Sequence, residues 1–221
     1  MKTVTLTAAY DTTILNYVPS NNYDSMVWID SGELASETNR ITRCLLKFDV
    51  SSIPSSAQVL SATLRLYAIY DDSSNNRIKR VYRVKRAWVS NQATWNVWKT
   101  GSNWQVAGCG GADDRETSDI GSLEMSANPT LNTWYSWELT PSKVQEWIDG
   151  TFTNNGIALI TDTELNDFMQ YASKEDANGK YPELVIEYVE GVKTINGIDI
   201  AKVKTINGVD INKVKSIWGI Q

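Results

Sequence analysis

The chain alternates apolar and polar residues at every second position over much of its length, which is the periodicity of half-buried β-strands. The clearest runs are Arg43–Val50, Val59–Tyr70, Ile78–Trp88, Thr133–Leu139, Gly156–Thr161 and Glu183–Val189, followed by the weaker Val4–Ala8, Thr12–Asn16 and Met26–Ile29. Polar or glycine-containing segments, such as Asp71–Asn76 and Ser118–Thr130, separate these runs. Many short strands joined by turns predict an all-β domain, a sandwich or barrel, over residues 1–190.

A single stretch has helical periodicity. Its apolar side chains recur at the spacing of one helix face: Val144, Trp147 and Ile148. Thr140 is suited to cap the helix, Pro141 to begin it and Gly150 to end it. We therefore predict one short helix that covers an edge of the β-domain.

Residues 191–221 repeat with a period of eleven: Val192–Lys202, Val203–Lys213 and the shorter Val214–Gln221. Asn196-Gly197 and Asn207-Gly208 favour tight turns, so each repeat is predicted to form a small β-hairpin. Because isolated hairpins are marginal in water, this tail needs a packing partner, which is either the β-domain itself or the tails of neighbouring copies. A flexible tail is the remaining alternative. We predict oligomerisation through its repeated aliphatic residues: Ile195, Ile198, Ile200, Ile206, Val209, Ile211 and Ile217.

Composition excludes several classes of function. The net charge of −5 disfavours nucleic-acid binding. The absence of histidine excludes triads that use a histidine base and zinc sites with histidine ligands. No apolar run approaches the ~18 residues of a membrane span, and the N-terminus lacks the apolar core of a signal peptide. We expect a virion or extracellular protein that leaves the cell by another route, such as a phage particle released by lysis.

Several segments in order along the chain resemble the DNRLRE-type carbohydrate-binding-module family. They are Thr38–Tyr67, Val81–Trp88, Ala93–Asn96, Trp104 followed by Gly110–Asp113, Trp134–Thr140, Gly156–Ile160 and Tyr181–Tyr188. This resemblance implies an antiparallel jelly-roll β-sandwich, often attached to extracellular glycan-active or adhesive proteins, some of which bind acidic polysaccharides. Trp137 and Glu138 depart from the family pattern, which has Phe and Asp there. The tail resembles C-terminal Ile-Asn-Gly tracts of phage and bacterial surface-structure proteins.

Two tryptophans are candidates for carbohydrate binding. Trp98 lies in a polar stretch, and Trp28 falls outside the family motifs, whereas Trp88, Trp104, Trp134, Trp137 and Trp147 among others are better explained as core. An exposed indole ring can stack on the C–H face of a sugar. The alternative for Trp98 is simple packing within its loop.

The run from Arg77 to Arg86 is strongly basic in an otherwise acidic chain. Strand alternation predicts that Arg83 and Lys85 share one face, and one face of the strand should be exposed. These two side chains would then form a cationic strip for an acidic glycan. The alternative is a solvated strand whose charges protect a sheet edge.

Carboxylates suggest one metal site and no catalytic site. Asp113 and Asp114, with Asp11 or Glu116, would supply oxygen ligands to a structural Ca²⁺, or would instead cap backbone amides in turns. Acidic pairs such as Asp162 and Glu164 are better explained as solvated loop residues than as a glycosidase pair. There is no phosphate-binding glycine loop and no nucleophile elbow. We do not expect an enzyme.

The two cysteines, Cys44 and Cys109, allow a disulfide bridge or a buried thiol at Cys44. Together these observations favour a non-catalytic structural and adhesive protein of a virion or extracellular assembly, whose β-sandwich binds a polysaccharide. The alternative is a soluble carbohydrate-binding module that targets a glycan-degrading system.

Overall fold

The computed structural model describes residues 1–34, 36–37 and 39–190, together with four short strands between residues 194 and 210. The chain divides into two units, Met1–Val189 and Glu190–Gln221. The described part of the first unit is all-β apart from one helix, α1 (Pro141–Ile148). This confirms the all-β character predicted from the alternating pattern.

The strands of the first unit are β1 (Lys2–Leu15), β2 (Trp28–Glu33), β3 (Ile41–Phe48), β4 (Gln58–Ser73), β5 (Arg77–Arg83), β6 (Val97–Lys99), β7 (Ser102–Asn103), β8 (Gly121–Met125), β9 (Thr133–Leu139), β10 (Ile157–Thr161), β11 (Asp167–Ala172) and β12 (Glu183–Val189). Strands β1, β12, β4, β11, β2 and β3 pair in that order, and β3 also pairs with β1. These strands therefore close into a ring. Strands β10, β5 and β8 continue outward from β3, while β9 pairs with β4.

Strand β1 takes part in two different ladders. Lys2–Thr7 pairs antiparallel with β12, and Ala8–Leu15 pairs antiparallel with β3. The register shifts between Ala8 and Tyr10, so a β-bulge lies where the strand changes partner. Bulges of this kind bend a strand and redirect its side chains.

Side chains of the ring strands, of β5, β9 and β10, and of α1 together form the main apolar core. Its fully buried members include Leu46, Leu64, Leu66, Trp137 and Ile186. Burial of each such side chain contributes about 1.5–3 kcal/mol. Trp88, Trp104 and Trp147 are also buried, which confirms their prediction as core residues.

A second apolar cluster covers the other face of β3, β10 and the end of β1. It is formed by Ile14, Leu45, Val84, Trp88, Ala93, Trp104, Cys109, Ala158 and Ile160. The loop from 88 to 109 supplies four of these residues and so lies over the sheet. Because both faces are covered, β10 is buried at every position and has no alternation.

Helix α1 has the bounds that the sequence predicts. Its buried face consists of Val144, Trp147 and Ile148. Pro141 begins the helix, and the carbonyl of Thr140 accepts a hydrogen bond from the Lys143 amide at 3.0 Å, although the Thr140 side chain makes no capping hydrogen bond. Gly150 follows with a positive φ of 79°.

Several strand predictions need correction. Strand β8 lies inside the segment expected to be a loop, β6, β7 and β11 were not expected at all, and the two N-terminal runs form the single strand β1. Nearly every residue of β11 is buried, so it lacks the alternation on which the prediction depends. Strand β5 ends at Arg83 rather than at Trp88, because the chain leaves the sheet there to build the second cluster.

The cysteines are both buried and free. Cys44 belongs to the main core and Cys109 to the second cluster, on opposite faces of the sheet. The alternative of a bridge between them is therefore wrong. Burial raises the pKa of the Cys109 thiol to about 12. Within the described residues, no helix has the length and apolar character that a membrane crossing requires.

In the second unit, two short antiparallel pairs are described. Strand β13 (Thr194–Ile195) pairs with β14 (Ile198–Asp199), and β15 (Thr205–Ile206) pairs with β16 (Val209–Asp210). Of the residues predicted to mediate oligomerisation, Ile200, Ile211 and Ile217 lie outside the described residues. The repeat tail and its self-association stay predictions.

Candidate functional site

The bulge in β1 places Tyr10 on the surface. Without it, strand alternation from the buried Ala8 would turn Tyr10 inward. Instead, Tyr10 is 51% exposed, while the next residue, Asp11, is 1% exposed. The Tyr10 ring therefore projects into solvent where β1 passes from one ladder to the other.

Two open cavities meet at Tyr10. One, of about 680 Å³, extends toward α1 and is lined by Phe48, Asp49, Trp147 and Asn154 among others. The other, of about 360 Å³, is lined by residues that include Asp24, Trp88 and Asn91. Both are lined by Tyr10 and Lys47, so they form one surface feature, which we call the Tyr10 groove.

Charged and amide groups flank the exposed ring. Lys47 is half-buried and makes no salt bridge within the described part of the chain. Asp49 accepts a hydrogen bond from the Ser51 amide at 2.9 Å; this bond, the Ser51 hydroxyl and the charge of Lys47 hold the pKa of Asp49 below its usual value. The Asn154 amide is fixed by the Phe48 carbonyl at 2.8 Å.

Trp147 carries a buried hydrogen-bond donor that has no partner. Its side chain is on α1, is 6% exposed and lines the Tyr10 groove. The indole Nε1–H has no hydrogen-bond partner among the described residues. Leaving such a donor buried and unpaired costs about 1–3 kcal/mol. The Nε1 atom itself has almost no accessible surface, so Trp147 contributes packing area to the groove wall and no donor to its open face.

The two predicted tryptophans do not line the groove. Trp98 is half-buried in β6, packs against the second cluster and has the Lys99 ammonium 4.6 Å from its ring centroid. Trp28 is half-buried at the start of β2, beside Ala172 of β11. The structure brings neither of them together with Tyr10 in a shared cavity.

Arg83 and Lys85 do not form an exposed strip. Arg83 is 0% exposed and makes salt bridges with Glu116 at 2.8 Å and Glu146 at 2.7 Å. Lys85 lies beyond the end of β5, is exposed, and donates a hydrogen bond to the Ala112 carbonyl at 2.8 Å. The strip prediction is corrected because the strand ends between the two residues and Arg83 turns inward.

The inward face of β5 carries two further cations. Arg77 pairs with Asp71 at 2.7 Å. Lys79 is 0% exposed, and its Nζ donates to the carbonyls of Ser31 at 2.6 Å and Asp167 at 2.8 Å. Burial lowers the pKa of Lys79 to about 7. This face is a buried polar network and offers no charge to a ligand.

The three predicted metal ligands lie in two places. Asp114 is buried, and its carboxylate accepts hydrogen bonds from the backbone amides of Gln105, Val106 and Gly111 at 2.8–3.0 Å. Asp113 beside it is exposed and bonds to the Gln105 side chain. The contacts of Asp114 are those of a carboxylate that caps backbone amides.

Asp11 is in a different environment. It accepts a hydrogen bond from the Lys174 amide at 2.7 Å, and burial raises the pKa of Asp11 to about 7. In the described ranges, no group of three or more His, Cys, Asp or Glu side chains is arranged to hold a metal ion. The Ca²⁺ site therefore stays a prediction, and Asp11 is not part of the same cluster as Asp113 and Asp114.

Sequence reasoning missed Tyr10 and misplaced Trp134. Trp134 is half-exposed on the outer side of β9 and packs edge-on against Tyr67, with 5.4 Å between ring centroids. The Arg65 guanidinium carbon lies 4.7 Å from the Trp134 ring centroid. Alternation with the buried Trp137 would have assigned Trp134 to the outer face. For Tyr10, no local signal marks the bulge.

Comparison with known proteins identifies a family. The family model described as the disaggregatase related repeat domain matches residues 11–186. Among curated proteins, none matches the sequence. The resemblance to DNRLRE-type carbohydrate-binding modules is a separate observation and stays a prediction. Because the match spans most of the 221 residues, the chain belongs to the disaggregatase related repeat domain family.

Proposed function

We propose that this protein is a non-catalytic adhesive protein whose β-domain binds carbohydrate in the Tyr10 groove. The observation that carries the proposal is the exposed Tyr10 ring at the junction of two cavities that are also lined by Lys47, Asp24 and Asp49. An exposed ring suits the C–H face of a sugar, and nearby polar groups suit its hydroxyls.

The polar groups of the groove include both hydrogen-bond donors and acceptors, and sugar hydroxyls can pair with either kind. The Lys47 ammonium is a donor, whereas the Asp49 carboxylate is an acceptor. The groove is open at the surface on both sides of Tyr10, which suits a polymer better than a small enclosed ligand. Because Lys47 is accompanied by Asp24 and Asp49, the groove favours no single sign of ligand charge.

Asp49 is suited to accept hydrogen bonds rather than to act as a general acid. Glycoside hydrolysis needs a carboxylic acid that holds its proton near neutral pH. The pKa of Asp49 is lowered, so this carboxyl is ionised and acts as a hydrogen-bond acceptor.

The wider context of the proposal comes from the sequence. The two ladders of β1 are compatible with a jelly-roll sandwich, in which a strand passes from one sheet to the other. We place the domain on a virion or extracellular surface, displayed in several copies through the eleven-residue repeats. The alternative is a soluble module that directs a glycan-degrading system to its substrate.

A glycan array tests the binding proposal. We expect the full-length protein to bind at least one polysaccharide, and Tyr10→Ala to lower its affinity at least tenfold. Tyr17→Ala is the matched control, because Tyr17 is 69% exposed and does not line the groove. Trp98→Ala tests the residue favoured by the sequence. A blank array, or equal losses for Tyr10→Ala and Tyr17→Ala, contradicts the proposal.

A further inference from the structure

A third cavity, of about 620 Å³, lies in the loop that covers the second cluster. It shares no lining residue with the Tyr10 groove. Its lining contains no charged side chain and is dominated by amides, hydroxyls and one indole: Ser20, Gln92, Asn96, Thr100, Asn103 and Trp104. We call this cavity the amide pocket. The Tyr10 groove, in contrast, is lined by Lys47, Asp49 and Asp24.

Backbone hydrogen bonds fix the walls of the amide pocket. The Trp104 indole is 4% exposed and donates to the Thr94 carbonyl at 2.9 Å. The backbone N–H of Asn96 donates to the Pro19 carbonyl at 3.2 Å, and this bond joins the loop to the segment after β1. The Gln92 Oε1 accepts from the Thr100 amide at 3.0 Å. The pocket is therefore formed before any ligand binds, which lowers the entropic cost of binding.

Two side-chain amides at the pocket remain free. Asn96 and Asn103 are exposed, and within the described residues neither side chain makes a hydrogen bond. Each amide offers two N–H donors and a carbonyl acceptor. Sugar hydroxyls both donate and accept, so they can use both kinds of group. A carboxylate or sulfate group would enter the pocket with no cation among its lining residues to compensate its charge.

We propose that the amide pocket is a second saccharide site, selective for uncharged sugar residues and independent of the Tyr10 groove. Asn96 and Asn103 bind the hydroxyls, and the buried edge of Trp104 forms the apolar floor. The inference extends the proposed function, but it does not require that the groove binds the same glycan or any glycan.

The indole N–H signals of Trp104 and Trp147 report the two sites separately in one ¹H–¹⁵N spectrum of the full-length protein. Trp→Phe variants assign the signals. The probes are neutral gluco-, manno-, galacto- and xylo-hexasaccharides and an oligogalacturonate of equal length. We expect at least one neutral probe to shift the Trp104 signal, and the oligogalacturonate to leave it unchanged.

Variants then locate the binding. The double variant Asn96→Ala/Asn103→Ala should lower the affinity measured by titration of the Trp104 signal on the order of tenfold, as expected for the loss of two neutral hydrogen-bonding groups. Asn103→Asp should also weaken it, whereas Asn21→Asp places the same charge at an exposed position that does not line the pocket. Tyr10→Ala should leave the Trp104 response unchanged.

The outcomes separate the two proposals. A Trp104 response without a Trp147 response supports the amide pocket and contradicts the groove, and the reverse pattern contradicts the amide pocket. No Trp104 response to any neutral probe, or an equal response to oligogalacturonate, overturns the inference. Equal effects of Asn103→Asp and Asn21→Asp overturn it as well.

Discussion

The guanidinium of Arg83 lies over the ring of Phe152, with 3.8 Å between the guanidinium carbon and the ring centroid. Its nitrogen atoms are bound at the same time by Glu116, by Glu146 and by the Lys143 carbonyl. Two of these partners lie on α1, so Arg83 joins the helix to β5.

Replacement of Arg83 by Met should destabilise the protein by about 2–4 kcal/mol, because the two glutamates lose the cation that compensates them. Both glutamates are partly exposed, which keeps this cost below that of a fully buried unpaired charge. Arg80→Met is the control, since Arg80 pairs with Asp119 at the surface and should cost less than about 1 kcal/mol. Urea unfolding followed by tryptophan fluorescence measures both. Equal losses contradict the structural role of Arg83.

Gly32 allows β2 to approach Asp167 closely. Its φ is +109°, and a Cβ atom built there would lie 2.4 Å from the Asp167 carbonyl oxygen. Gly32→Ala should therefore cost about 3 kcal/mol or more, from backbone strain and the clash together. Gly101→Ala, at a φ of +76° with nothing within 4 Å, should cost only the strain of about 1 kcal/mol. Thermal unfolding of the two variants checks the difference.

Asp11 makes stability depend on pH. Its pKa is raised from 3.8 to about 7, so between these values the folded state holds a proton that the unfolded state has lost. The contribution of Asp11 to the free energy of unfolding is therefore most favourable below pH ~4, and this contribution is lost as the pH rises toward 7. A pKa difference of one corresponds to about 1.4 kcal/mol, so the total effect is on the order of a few kcal/mol.

Asp11→Asn should remove this dependence while keeping an acceptor for the Lys174 amide. We expect the variant and the parent protein to be equally stable near pH 4, and the variant to be the more stable at pH 7. Urea unfolding at four pH values from 4 to 8 measures the difference. Parallel stability curves for the two proteins would contradict a raised pKa at Asp11.

Self-association should depend on the eleven-residue repeats. Mass photometry of the full-length chain should detect oligomers, and a chain that ends at Val189, the end of the first unit, should be monomeric. Far-ultraviolet circular dichroism checks that the shorter chain retains its β-structure. Monomers in both samples contradict the assembly proposal.

The sequence determined the elements whose side chains alternate or follow a helix face. Strands β9 and β12 have the predicted bounds, and α1 lies between Thr140 and Gly150 as expected. These elements bury one face only, and a one-sided environment leaves a periodic pattern in the residues. Strand β11 lacked that pattern because nearly all of its residues are buried.

Tertiary structure alone decided which face of the basic strand is buried. Alternation groups Arg77, Lys79 and Arg83 on one face, but their partners Asp71, Asp167, Glu116 and Glu146 come from other segments of the chain. The sequence could not show that these groups would meet and compensate the buried charges.

The candidate site depends in the same way on contacts between distant segments. The Tyr10 groove is made by a bulge in β1, by the end of β3 and by Trp147 of α1, and the amide pocket by a loop folded against the segment after β1. Local residue patterns fix the direction of a side chain within its own element. They do not fix which elements pack together, and that packing creates both cavities.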